Sequence, residues 1–222
     1  MKKLASLLLL AFLSLNMVAQ EKLSEGVITM KQNMSSPNSE LNAQLALMGF
    51  MTTTTYFKDG NTRSETSSPM MGDMTVIANQ EAKKVMTLMN NPQAGGKVYT
   101  TADINPSEED LKDVTVEKTT ETKTVLGYEC TKYIATLKKD GADATMEIYA
   151  TDKLSAVNNQ TVALGDKFSG FPMYMVINMS QMGMDFTITS EVTEIKKEAV
   201  SKDKFDMTPP EGYKEMQMPA GY

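Results

Sequence analysis

Histidine and tryptophan are absent from the chain, and cysteine occurs once, at Cys130. Without histidine the chain lacks the usual general base and the commonest metal ligand. A lone cysteine makes neither an intramolecular disulfide nor a thiolate cluster, so packing alone must hold the fold. Nucleophile elbows, phosphate-binding loops, dinucleotide fingerprints and aspartate-rich calcium loops are also missing. The acids Glu108, Glu109, Asp110, Glu117 and Glu121 sit in solvated contexts, and nothing in the sequence converges them on a cleft. These absences predict a protein that is not an enzyme and carries no cofactor and no metal. Arg63 is the only arginine, no basic cluster occurs, and the formal charge is −6. Such a balance argues against nucleic acid and anionic membrane surfaces as partners. No apolar run after residue 15 approaches a membrane span, so no integral span is predicted.

What is present begins with a leader pattern. Met1-Lys2-Lys3 is followed by an apolar run from Leu4 to Leu15 and then by Val18-Ala19-Gln20. A basic start, a short apolar core and a small residue at the end predict a secretory signal peptide over 1–19, with Gln20 as the alternative last residue. Its removal takes Lys2 and Lys3 away and moves the charge from −6 to −8. No cysteine follows the run for lipid attachment. The expectation is an exported, soluble periplasmic protein, extracellular as the alternative; an uncleaved N-terminal anchor is disfavoured because the run is short for a span.

The rest reads as a short lead over 20–25, one β domain over 26–213 and a loose tail over 214–222. No long stretch places apolar residues at helical spacing. Strands dominate instead, about ten of them in successive hairpins, which predicts a single strongly curved antiparallel sheet, an incomplete barrel. Glu40 to Phe50 carries Leu41, Leu45 and Met48 at near-helical spacing and is expected as a short helix or flap over the concave face. The clearest hairpin runs from Thr124 to Ala150 and turns at Asp140-Gly141. On its return leg Ala144, Met146, Ile148 and Ala150 alternate with Thr145, Glu147, Tyr149 and Thr151, the period of a half-buried strand. The first leg breaks that period at Lys132, which a bulge near Cys130–Lys132 would explain. Cys130 reads as a small core residue, because nothing basic flanks it closely enough to favour the thiolate.

Methionine is abundant: 20 residues, against 8 Tyr and 7 Phe. Met fills irregular apolar space and adapts to variable partners. One reading is an ordinary core with Met in place of Leu. The other is a soft lining for a hydrophobic ligand, for which Met74, Met86, Met146, Ile148, Met173, Met175, Met184, Phe186 and Ile188 are the candidates. Arg63 likewise has two readings, a solvated strand charge or a gate whose planar fork holds carbonyls or a carboxylate.

Widely spaced motifs carry a family resemblance over roughly Gly26 to Tyr213. They are Tyr56-Phe57-Lys58-Asp59-Gly60-Asn61-Thr62-Arg63, Thr75-Val76-Ile77-Ala78-Asn79 followed by Val85-Met86-Thr87-Leu88, Lys123 to Tyr133 with its Gly127-Tyr128-Glu129-Cys130-Thr131-Lys132, and the ending Phe205 to Tyr213. In these the chain resembles an exported bacterial family known as domain of unknown function 4412. Such proteins look like the periplasmic lipoprotein carriers LolA and LolB. That resemblance implies an incomplete antiparallel barrel whose short helices or loops cover a hydrophobic hollow for acyl chains. No carrier residue transfers by position, Arg63 included. The functional expectation is a non-enzymatic protein binding an apolar ligand (lipid, acyl chain or lipoprotein) in a Met-rich hollow. The alternative is an envelope interaction module with a filled core, recruiting a protein partner by strand addition.

Overall fold

The computed structural model describes residues 21–68, 72–91, 96–139, 142–181 and 183–216. The expected signal peptide, the Asp140-Gly141 turn and the tail past Met216 lie outside the described residues. Twelve strands make one sheet: β1 (Glu25–Ser35), β2 (Met51–Lys58), β3 (Asn61–Ser68), β4 (Gly72–Asn79), β5 (Lys84–Asn91), β6 (Gly96–Asp103), β7 (Val114–Val125), β8 (Tyr128–Lys139), β9 (Ala142–Thr151), β10 (Phe171–Gln181), β11 (Met184–Lys196) and β12 (Lys214–Glu215). Their order is β12-β6-β5-β4-β3-β2-β1-β11-β10-β9-β8-β7. Two hairpin meanders, β2–β6 and β7–β11, therefore flank β1, which pairs with both β2 and β11.

This order forces the sheet to roll. β6 and β7 lie at opposite ends of the two meanders, ten strand spacings apart, or about 48 Å if the sheet were flat. The connection between Asp103 and Val114 can stretch to at most about 40 Å. It is not stretched, since Leu111 N–H bonds back to Ser107 O and Val114 N–H to Leu111 O. The ends must curl toward each other. They do not meet in a closed barrel, because β7 and β12 remain the two edges.

Two expectations need correction. The sheet has twelve strands rather than about ten, and it is mixed, because β12 runs parallel to β6 with Lys214 opposite Val98 and Glu215 opposite Tyr99. The bulge expected on the β8 leg lies across from it: β7 inserts Thr119–Glu121 opposite Lys132, while β8 pairs with β9 without a break. Further register shifts fall at Pro172/Tyr174 in β10 and at Thr29/Met30, opposite Thr193 in β11. Through the strand register these shifts line up in one band across β11, β10, β9, β8 and β7. A bulge bends its strand and adds twist, and an aligned row of them bends a sheet. The parity of β8 changes at this band. Tyr133 and Ala135 are buried on one side of it, Tyr128 and Cys130 on the other.

Three apolar clusters follow. On the inner face of β8–β11, Tyr133, Ala135, Met146, Ile148, Met175, Ile177 and Ile188 close around Leu164. Leu164 comes from the long β9–β10 connection, whose 3-10 turn spans Val162–Lys167. That connection is pinned there by Phe168, edge-on to Tyr133 with ring centres 5.1 Å apart, and by Lys167, which donates to Leu111 O and Val114 O. Beyond the bulge band, Ile28, Met30, Phe57, Tyr128, Cys130, Phe171, Met173 and Val192 form a second cluster. On the outer face of β4 and β5, Ile77, Met86 and Leu88 pack under Val200 and Phe205 of the C-terminal strap.

Between β1 and β2 stands α1 (Ser39–Met48), the one α-helix among the described residues. Asn38 caps it, its Oδ1 accepting from Glu40 N–H at 3.1 Å and Leu41 N–H at 3.0 Å. Leu45 is its buried contact, while Leu47 and Phe50 point to solvent, 86% and 70% exposed.

Candidate ligand hollow

Among the described residues, the inner face of β1–β6 has no counterpart to Leu164 over it. The β9–β10 connection reaches only to its border, where Gln160 donates to Gln32 Oε1 of β1 and accepts from Ser190 Oγ of β11, both at 3.4 Å. The result is a hollow of about 660 Å³, within the roughly 300–1,000 Å³ of small-molecule sites. Strand alternation selects its lining. Every second residue of β1 (Met30, Gln32, Met34), β2 (Met51, Thr53, Thr55), β3 (Ser64, Thr66, Ser68) and β4 (Gly72, Met74, Val76) points in. Met89, Asn91 and Val98 continue the wall on β5 and β6, Asn158–Gln160 border it, and Met216 leans in after β12. Met216 is held by its own N–H on Tyr99 O at 2.8 Å.

The lining has two textures. Met30, Met34, Met51, Met74, Met89 and Met216, with Val76 and Val98, supply a deformable apolar wall. The β2–β3 hairpin supplies a patch of hydroxyls in cross-strand pairs, Thr53 with Thr66 at 2.7 Å and Thr55 with Ser64 at 2.9 Å. Asn159 Oδ1 is buried without a partner among the described residues. Among the described lining residues Asp73 is the one carboxylate, exposed, accepting from Ser67 Oγ at 2.7 Å.

Of the nine residues proposed from sequence, Met74 lines this hollow. Met146, Ile148, Met175 and Ile188 lie together in the packed cluster under Leu164, and Met173 in the cluster beyond the bulges. Met86 faces outward, under Val200 and Phe205. Met184 is 46% exposed at the start of β11, and Phe186 borders a shallower depression with Asp143 and Asn178. Arg63 has the parity opposite to Thr62 and Ser64, so it lies on the outer face, where its Nε donates to Glu65 Oε1 at 2.6 Å. The methionines that line the hollow but were not among the sequence candidates are Met30, Met34, Met51, Met89 and Met216. The first four sit on β1, β2 and β5, where the stretch around Met89 is apolar on both faces and the sequence does not mark which face turns inward. The missing information was which inner faces the long connections cover.

The conspicuous charges stand elsewhere. On the outer face at the bulge, Lys132 bridges Glu147 at 3.0 Å and Glu121 at 3.2 Å. The hydrogen bonds to these carboxylates, Glu147 foremost, raise the Lys132 pKa. Tyr149 O–H donates to Glu121, and Lys123 lies 3.8 Å from the centre of the Tyr174 ring. Among the described residues no three His, Cys, Asp or Glu side chains gather as a metal site, and no helix is long and apolar enough to cross a membrane.

Comparison with known proteins places the chain in a family whose function is not described. The model of a family described as Domain of unknown function (DUF4412) matches residues 25–213. No curated protein matches the chain. Two solved structures, titled as PNGF-II in C2 and in P21 space groups, are 15% and 16% identical, with TM-scores of 0.45 and 0.47. In each, 86% of this chain aligns, and it spans 31% of the length of the other chain.

Proposed function

Because the chain belongs to the Domain of unknown function (DUF4412) family, whose description assigns no activity, we propose from its geometry that it is a non-enzymatic, exported protein that binds an apolar ligand in the hollow of β1–β6. One observation carries this reading. The two halves of a single sheet carry inner faces of similar strand pattern; one is filled by Leu164 and Phe168 of its own chain, and the other is left open and lined by methionines. Burial of a ligand there would be driven by apolar area, roughly 25 cal/mol per Å² before the costs of association. Phe50, 70% exposed, directly precedes the lining residue Met51, and Leu47, 86% exposed, lies four residues before it. The resemblance to the lipoprotein carriers points to acyl chains, and the leader pattern to the periplasm.

The test is native mass spectrometry on protein purified from its own cells, with variants Thr66→Trp and Met74→Trp to fill the hollow. Co-purifying lipid on the wild type, absent from both folded variants, is the expected result. A clean apo mass for the wild type, with no uptake from mixed lipids, overturns the reading. The alternative, an envelope interaction module, draws on the β6 edge, which β12 covers over two residues only. It predicts a protein partner in envelope extract and an empty hollow.

A further inference from the structure

The polar part of the lining narrows the ligand class. This step rests on the reading of the hollow as a ligand site. Among the described lining residues there is no lysine and no arginine, and the single carboxylate, Asp73, is exposed. The segments 69–71 and 92–95, which join lining strands, contain no charged residue in the sequence. An anionic head group entering the hollow would meet no counter-charge, and burying an unpaired charge costs far more than burying a hydrogen-bonded neutral group.

Neutral hydrogen-bonding groups fare differently. In each hydroxyl pair, Thr53–Thr66 and Thr55–Ser64, one hydrogen atom lies between the two oxygens. The accepting hydroxyl keeps its own hydrogen, and both oxygens keep lone pairs. The β2–β3 hairpin thus offers two O–H donors to a ligand, and the same hydroxyl oxygens offer lone pairs as acceptors. A head group that both donates and accepts satisfies this set.

We infer that the hollow of β1–β6 selects amphiphiles with one apolar chain and an uncharged, hydroxyl- or amide-bearing head over fatty-acid anions and phospholipids. The chain would lie on Met30, Met34, Met51 and Met89, and the head would sit against the Thr53–Thr66 and Thr55–Ser64 pairs.

Calorimetric titration at pH 7.5 with 1-monomyristoylglycerol, myristate and myristylamine tests it. The glycerol ester is expected to bind about tenfold or more tightly than myristate, a gap of roughly 1.4 kcal/mol. Met74→Lys, at a position 42% exposed, places a cation on the lining and should close most of that gap by improving myristate. Equal or tighter binding of myristate to the wild type overturns the inference while leaving the hollow as a lipid site. Tightest binding of myristylamine overturns it as well, and would give Asp73 the deciding role. If none of the three binds, the underlying ligand reading fails with it.

Discussion

Cys130 shows how a residue's environment decides its chemistry. It has no exposed surface, and its thiol donates to Tyr128 O at 3.4 Å. Burial pushes the pKa up to about 11, outweighing the nearby Lys123. The thiolate is the reactive form, so at pH 8 the folded protein should not react with a disulfide reagent, and one equivalent should appear on unfolding in guanidinium chloride. Rapid labelling of the native protein would disprove this. Glu25 is the opposite case. Its Oε1 accepts from Lys58 Nζ and from Val200 N–H, each at 2.6 Å, and these bonds, Lys58 first, lower its pKa. A carboxylate with a lowered folded pKa contributes stability that is present above its unfolded pKa and lost as the pH falls through the folded value. Glu25→Gln should therefore lower the urea midpoint at pH 7, with the difference from wild type shrinking as the pH falls through the lowered folded pKa of Glu25. Identical midpoints at pH 7 would show that this ion pair contributes nothing.

At the scale of elements, Gly72 marks where β4 begins and where the hollow's wall passes close to β5. Its φ is +76°, and a Cβ there would stand 2.2 Å from Asn90 O, a backbone atom that cannot swing away. Gly72→Ala should cost about 1–3 kcal/mol from strain and displaced backbone together, read as a fall in thermal midpoint. An unchanged midpoint would mean that the β4–β5 pairing yields easily. Much at this scale was legible in the sequence. Period-two alternation located β9 and β11, and Asn38 before Glu40 and Leu41 begins α1 where short helical spacing had suggested it. Alternation shows that a strand has a buried face, but it is silent on what lies over that face. Met146 and Met74 occupy comparable positions in their strands, yet the first sits beneath Leu164 and the second is 42% exposed on the hollow. The difference arises from residues 152–170, irregular in sequence and set in place by long-range contacts such as Phe168 on Tyr133. The displaced bulge has a similar cause. Lys132 breaks the pattern in β8, but the extra residues, Thr119–Glu121, belong to β7.

Taken whole, the molecule is one sheet with two unequal halves, and that inequality makes a global prediction. A ligand that binds only the folded state stabilises it by about 2.7 kcal/mol at a hundredfold excess over Kd, and every amide that exchanges through global unfolding will report that increment. Amides that exchange through local opening report their own neighbourhood instead. In β2–β6 a ligand would replace empty space beside the lining, and local opening should slow there. In β8–β10 the inner face already rests on Leu164 and Phe168, so local opening should keep its rate. The border lies at β1 and β11, where Gln160 joins Gln32 to Ser190. Hydrogen exchange followed by mass spectrometry, with and without 1-monomyristoylglycerol, should therefore divide at that border: fast-exchanging segments within 51–103 gain protection, and those within 128–181 do not. Protection confined to 128–181 would place the ligand on the filled half, which could admit it only by displacing its own connection, and would refute the assignment of the hollow to β1–β6.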